Sequence, residues 1–154
     1  HGEREADRGL IEPALHEAVA AATGVASLDA ASAVGGGCIN RCYEARRGSE
    51  RWFVKLNDAA FADNFAAEAD GLSALAAAGV RVPVPHAHGS GEHGAWLVLE
   101  WLALREPDAS AFHTLGEALG ALHVQPRSRC GWHRDNYIGA TPQRNAWDED
   151  AVRF

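Results

Sequence analysis

The chain has 154 residues, 47% of them hydrophobic and 23% charged, an ordinary balance for one folded domain with its own core. Lysine and arginine together number 14 against 21 acidic residues, and the net charge of -7 argues against a surface built to grip a nucleic-acid backbone. No apolar run approaches about 18 residues, so no membrane-spanning helix is expected.

Apolar residues recur at helical spacing from about Leu10 to Ala22, and Thr23-Gly24 stops the pattern. A short strand-like stretch, Leu28 to Val34, ends at Gly35-Gly36-Gly37, and the chain resumes as Cys38 to Ala45. Arg46-Arg47-Gly48-Ser49-Glu50 reads as a polar turn before a third strand, Arg51 to Leu56. Strand, glycine loop, strand, turn, strand predicts a three-stranded antiparallel meander. A second helix is predicted over Phe61 to Ala77, closed by Gly79, with Pro83 and Pro85 in the following loop. Pro85 to Gly89 reads as a short strand, Ser90 to Gly94 as a turn, and Trp96 to Leu102 as a buried strand. A third helix is expected over Ser110 to Val124, with Phe112, Leu115, Leu119 and Leu122 facing inward. Beyond Pro126 the chain is aperiodic and rich in Gly, Pro, Asn and Trp.

Three features carry the chemistry. Gly35, Gly36 and Gly37 lack side chains, so their backbone can approach a phosphate and aim N–H groups at it; the same triplet also serves as a plain flexible turn. Lys55 lies in an apolar strand, where alternation puts it on one face with Phe53 and leaves Trp52, Val54 and Leu56 on the other. Strand lysines also snorkel to water, which is the plainer account of one lysine. Positions 61, 65, 68, 72 and 75 form one helical stripe, apolar except for Glu68 in the middle. A carboxylate there costs free energy unless it is paired or turns to the stripe edge. Lys55, on the strand just before, is the candidate partner.

A glycine loop, then a strand lysine, then a helix glutamate is the nucleotide-holding order of the protein-kinase fold. Leu97 to Leu102 fits the strand and hinge of that fold, where backbone groups of Glu100 and Leu102 would bond an adenine. The chain resembles the fructosamine (ketosamine) kinases, relatives of aminoglycoside and choline kinases. The resemblance rests on Gly36-Gly37-Cys38-Ile39-Asn40, Phe53-Val54-Lys55, Phe65 to Leu72, Leu99-Glu100-Trp101-Leu102, Leu115 to His123, and above all Asp135 to Trp147. It covers nearly the whole chain. It implies an α+β fold: a kinase-like small lobe over residues 1–102, and the start of a large lobe over 103–154. It implies a nucleotide site of Gly35, Gly36, Gly37, Cys38, Ile39, Asn40, Lys55, Glu68, Glu100, Trp101 and Leu102.

The implied reaction moves the γ-phosphate of ATP, with Mg2+, to a sugar hydroxyl of a glycated amine or protein lysine, a deglycation step. Family members run to nearly twice this length, with their catalytic and metal-binding aspartates expected beyond Phe154. This stretch alone is therefore expected to hold nucleotide poorly and turn nothing over. Another small-molecule kinase, or a non-catalytic nucleotide- or protein-binding module, is the alternative.

Smaller signals remain. His133-Arg134-Asp135 spells a kinase catalytic triplet, but that motif needs an asparagine five positions later and Ala140 stands there. The cysteines are Cys38, Cys42 and Cys130, an odd count. With a charged start that lacks a signal-peptide core, they suggest a reduced, cytoplasmic setting. Cys38 in the glycine loop is a candidate redox switch or cross-link between two copies, and equally a small loop residue. His86, His88 and His93 match a loose zinc spacing, and a hairpin rim explains them as well.

Overall fold

The computed structural model describes residues 12–35, 39–150 and 152–153. Its centre is a five-stranded antiparallel sheet in the order β1-β2-β3-β5-β4, with β1 Ala30–Ala33, β2 Arg41–Arg47, β3 Glu50–Asn57, β4 Pro85–Gly91 and β5 Gly94–Glu100. The predicted meander is its first half. Register places Cys42 opposite Lys55, and Lys55 opposite Leu97, so the lysine lies mid-sheet between two neighbours.

The period-2 alternation of β3 divides the core. Trp52, Val54 and Leu56 face one side and bury against α1, Pro13–Thr23, whose Ala14, Leu15, Ala18 and Val19 make its inward stripe. Pro13 opens this helix at a position that needs no N–H, and Gly24 closes it at φ 75°. Leu10 and Ile11, assigned to the stripe from the sequence, lie outside the described residues. On the other side, Phe53 packs with Ala95, Leu97 and Leu99 against Phe65 and Ala69 of α2, Ala62–Ala77. A single 3-10 turn, Ala59–Phe61, leads into α2.

The third helix, α3, Ala109–His123, forms as predicted, with Asp108 accepting a bond from the Ala111 N–H at 2.8 Å. Its stripe does not face inward. Phe112 is 63% exposed, Leu115 49% and Leu119 39%, and no residue of α3 is buried. Periodicity reports that a helix has an apolar face; it does not supply the surface that covers it.

The aperiodic segment contains one structure the periodicity missed. A small hairpin joins β6, Asn136–Ile138, to β7, Thr141–Gln143, through Gly139 at φ 63°. Three-residue strands are too short to show a period. An isolated bridge between Cys130 and Asp148 closes the loop around the hairpin. None of the described helices is long and apolar enough to cross a membrane.

Candidate functional site

Lys55 and Glu68 meet. The Lys55 ammonium donates to both carboxylate oxygens, at 2.9 Å to Oε1 and 2.7 Å to Oε2. The strand supplies Lys55 from mid-sheet, where Cys42 and Leu97 flank it. The helix supplies Glu68 from the one polar position of its sheet-facing stripe. The lysine side chain is 18% exposed and the glutamate 35%, so the pair is shielded without being sealed. Phe61, Phe65, Glu68, Leu72 and Leu75, the whole stripe read from the sequence, line one cavity of about 420 Å³ together with Lys55. Ile39, Asn40 and the β6–β7 hairpin close its other side.

The glycine loop is reached only at its edges. Gly35 is exposed, while Gly36, Gly37 and Cys38 lie outside the described residues. Just after them, the Asn57 side-chain amide donates to the Asn40 Oδ1 at 2.7 Å and to the Ile39 carbonyl at 3.2 Å. Those bonds tie the root of the loop to the end of the lysine strand.

Glu100, Trp101 and Leu102 stand elsewhere. Trp52 pairs with Glu100 and Lys55 with Leu97, so Glu100 lies three strand residues from the lysine, about 10 Å along the sheet. The Glu100 carboxylate is occupied. It accepts from Arg81 at 2.6 and 2.9 Å and from the Val84 N–H at 3.2 Å. These bonds, with Arg81 first, hold its carboxyl below the ordinary value. The Glu100 N–H is also taken, by the Val84 carbonyl at 2.8 Å. Trp101 packs against Phe53, with ring centroids 6.3 Å apart, and lies under the Arg51 guanidinium at 4.7 Å. Its indole N–H is buried without a partner among the described residues.

Several site features escaped the sequence reading. Glu44 is nearly buried and paired to Arg51 at 2.6 Å. Cys42 shares the lysine's neighbourhood. Burial pushes its thiol above the ordinary value, Glu68 adds to the rise and Lys55 opposes it. Each member of the His133-Arg134-Asp135 triplet is engaged structurally: His133 lies 3.2 Å from Asp70, Arg134 bonds Asp63 at 2.6 Å, and Asp135 accepts from the Asn145 N–H at 2.9 Å. One compositional signal was available. Lys55 is the only lysine in the chain, the other 13 basic residues being arginine.

A second, wider hollow of about 710 Å³ lies between α2, the end of α3 and Trp132. Neither Lys55 nor Glu68 lines it; both line the smaller cavity. Among the described residues, no group of three His, Cys, Asp or Glu side chains stands close enough to hold a metal ion, His86, His88 and His93 included.

A family model described as "Fructosamine kinase" matches residues 12–154. The chain is 45% identical over 123 residues to a Synechocystis protein named "Probable ketoamine kinase", covering 79% of this chain and 42% of that one. It is 37% identical over 131 residues to a protein of Oryza sativa subsp. indica named "Protein-ribulosamine 3-kinase, chloroplastic", covering 80% of this chain and 37% of the other. A crystal structure from Haemophilus somnus, described as "Putative fructosamine-3-kinase", superposes with a TM-score of 0.78 at 25% identity, over 88% of this chain and 47% of that one. A second, from Thermobifida fusca, gives 0.67 at 27% identity. The chain thus spans less than half the length of the relatives it matches.

Proposed function

The chain belongs to the fructosamine kinase family, and from that premise we propose that it is the nucleotide-gripping part of an ATP-dependent kinase acting on glycated amines. The observation that carries the reading is the Lys55–Glu68 pair facing a cavity of small-molecule size. A phosphate-binding ammonium must be charged, aimed and only partly hydrated. Two carboxylate contacts aim this one, and the sheet shields it.

Residues 1–102 are assigned to the nucleotide-holding lobe and 103–154 to the start of the acceptor lobe. Gly35 to Asn40 would lie over the phosphates, Lys55 would hold the α- and β-phosphate oxygens, and Glu68 would keep the ammonium from folding back. Glu100, Trp101 and Leu102 would face the base. The Glu100 N–H is bonded to Val84, so base recognition falls to its carbonyl and to the Leu102 backbone. ATP, when bound, supplies the phosphoryl group, and the residues here hold and orient it. A magnesium ion finds no cluster of oxygen ligands among the described residues, so no step is assigned to one here. The acceptor is a sugar hydroxyl of a ketosamine, on a small amine or a protein lysine, in keeping with the relatives' names. A cytoplasmic setting is part of this proposal; the rice relative is named for the chloroplast.

The test is a chimera in which residues 12–154 replace the matching stretch of the Synechocystis relative. ATP-dependent phosphorylation of a glycated lysine peptide, lost on Lys55→Ala, is the expected result. Activity that survives Lys55→Ala overturns the reading.

A further inference from the structure

Glu68 can meet Lys55 only if α2 is rolled to the right angle, and the helix is gripped from its opposite face. Asp63 and Asp70 are seven residues apart, two turns, so they share a face within about 20°; Glu68 points about 140° away from Asp63. Both aspartates are taken by the segment after α3. Trp132 donates its indole N–H to Asp70 Oδ2 at 2.5 Å, and His133 Nε2 lies 3.2 Å from the other oxygen. Arg134 donates to Asp63 Oδ1 at 2.6 Å and the Tyr137 hydroxyl to Oδ2 at 2.7 Å. Beside them, Asn64 donates to the Gly139 carbonyl at 3.1 Å.

A grip at one point lets a helix roll; grips two turns apart on one face do not. The carboxylate of Glu68 stands about 5–6 Å from the helix axis, so a roll of roughly 30° would carry it about 3 Å. That is the whole length of its contacts with Lys55. The hairpin tip reaches the glycine-loop root as well: a Cβ on Gly139 would meet Ile39 Cδ1 at 2.8 Å.

We propose that Asp63 and Asp70 are positioning residues for the Lys55–Glu68 pair, locking the roll of α2 through Trp132, Arg134 and Tyr137. The proposal deepens the kinase reading and rests on it only for the purpose of the pair. Its test reads Lys55 itself, without nucleotide, so its failure is distinct from failure of that reading.

The single lysine makes the test clean. The 154-residue chain is acylated with a small succinimidyl ester, and mass spectrometry compares modification of Lys55 with that of the N-terminal amine. A lysine nitrogen held by two carboxylate oxygens and only 18% exposed is poorly accessible to the reagent and reacts slowly. Asp63→Ala with Asp70→Ala should raise the Lys55 rate about threefold or more, toward that of Glu68→Gln. Adding Glu68→Gln to the double variant should then give no further rise. A wild-type Lys55 rate in the double variant, whatever its melting temperature, overturns the proposal, as does a full additional rise from Glu68→Gln. Should the double variant not fold, Trp132→Phe with Tyr137→Phe removes one hydrogen bond from each aspartate and leaves an aromatic ring at each position. The same two criteria then apply to it.

Discussion

Replacing the ion pair by apolar residues should separate stability from function. Glu68→Leu completes the apolar stripe of α2 but strands the Lys55 ammonium, which is only 18% exposed. Leaving a shielded charge without its partner costs about 1.5–3 kcal/mol. At about 2–4 °C per kcal/mol for a chain of this size, the melting temperature should fall by roughly 3–12 °C. Lys55→Met strands Glu68 instead. That carboxylate is 35% exposed and can turn to water, so its loss should cost about 1 kcal/mol or less. The double variant fills the same space with Met and Leu, and should return to within about 1 kcal/mol of the wild type. The coupling energy in this cycle should exceed about 1 kcal/mol. Urea or thermal unfolding of the four proteins measures it. Simple addition of the two single costs would refute the claim that these side chains are energetically one unit. The well-folded double variant should nonetheless have lost its hold on nucleotide.

Phe112→Glu and Leu115→Glu in α3 should each change stability by no more than about 0.5 kcal/mol, because both side chains already meet water; dye binding to exposed apolar surface should drop. The Tyr137 hydroxyl, and after it Arg134, holds the Asp63 carboxyl below its ordinary value. A depressed carboxyl stabilises above its unfolded pKa, about 3.9, and loses that contribution as pH falls through the folded value. Tyr137→Phe should therefore move the Asp63 titration upward in carboxyl-detected NMR, and an unmoved titration would contradict the assignment. Gly94→Ala should destabilise by about 2 kcal/mol or more, since φ is 111° and a Cβ would stand 2.4 Å from the Asn57 carbonyl oxygen. Burial raises the Cys42 thiol, so it should react with thiol reagents at neutral pH more slowly than a free cysteine does.

The sequence was most legible where one residue broke a strong pattern. Glu68 stood out because four large apolar residues shared its stripe, and Lys55 because it was the one charge inside an apolar strand just before that helix. Patterns with a single reader were harder. The α3 stripe predicted a helix correctly and its burial wrongly, since nothing in a periodicity names the opposing surface. The clamp on α2 was invisible for another reason. Asp63 and Asp70 sit on what reads as a solvated helix face, and their partners come from a segment more than sixty residues away with no period of its own. Glu44 was missed similarly: a charge in a short strand reads as outward until register sets Arg51 beside it.

The central claim is that Lys55 touches the phosphates of a bound nucleotide. An acyl-phosphate derivative of ATP transfers its acyl group to an amine near the phosphates and releases the nucleotide. With one lysine in the chain, the product has one internal address. Because this stretch alone is expected to hold nucleotide weakly, reagent and ATP are both used at millimolar concentration; labelling of Lys55 that ATP suppresses, and that an acyl phosphate without the nucleoside does not reproduce, is the predicted result. Labelling of Lys55 that is indifferent to ATP, or labelling confined to the N-terminal amine, would contradict the account.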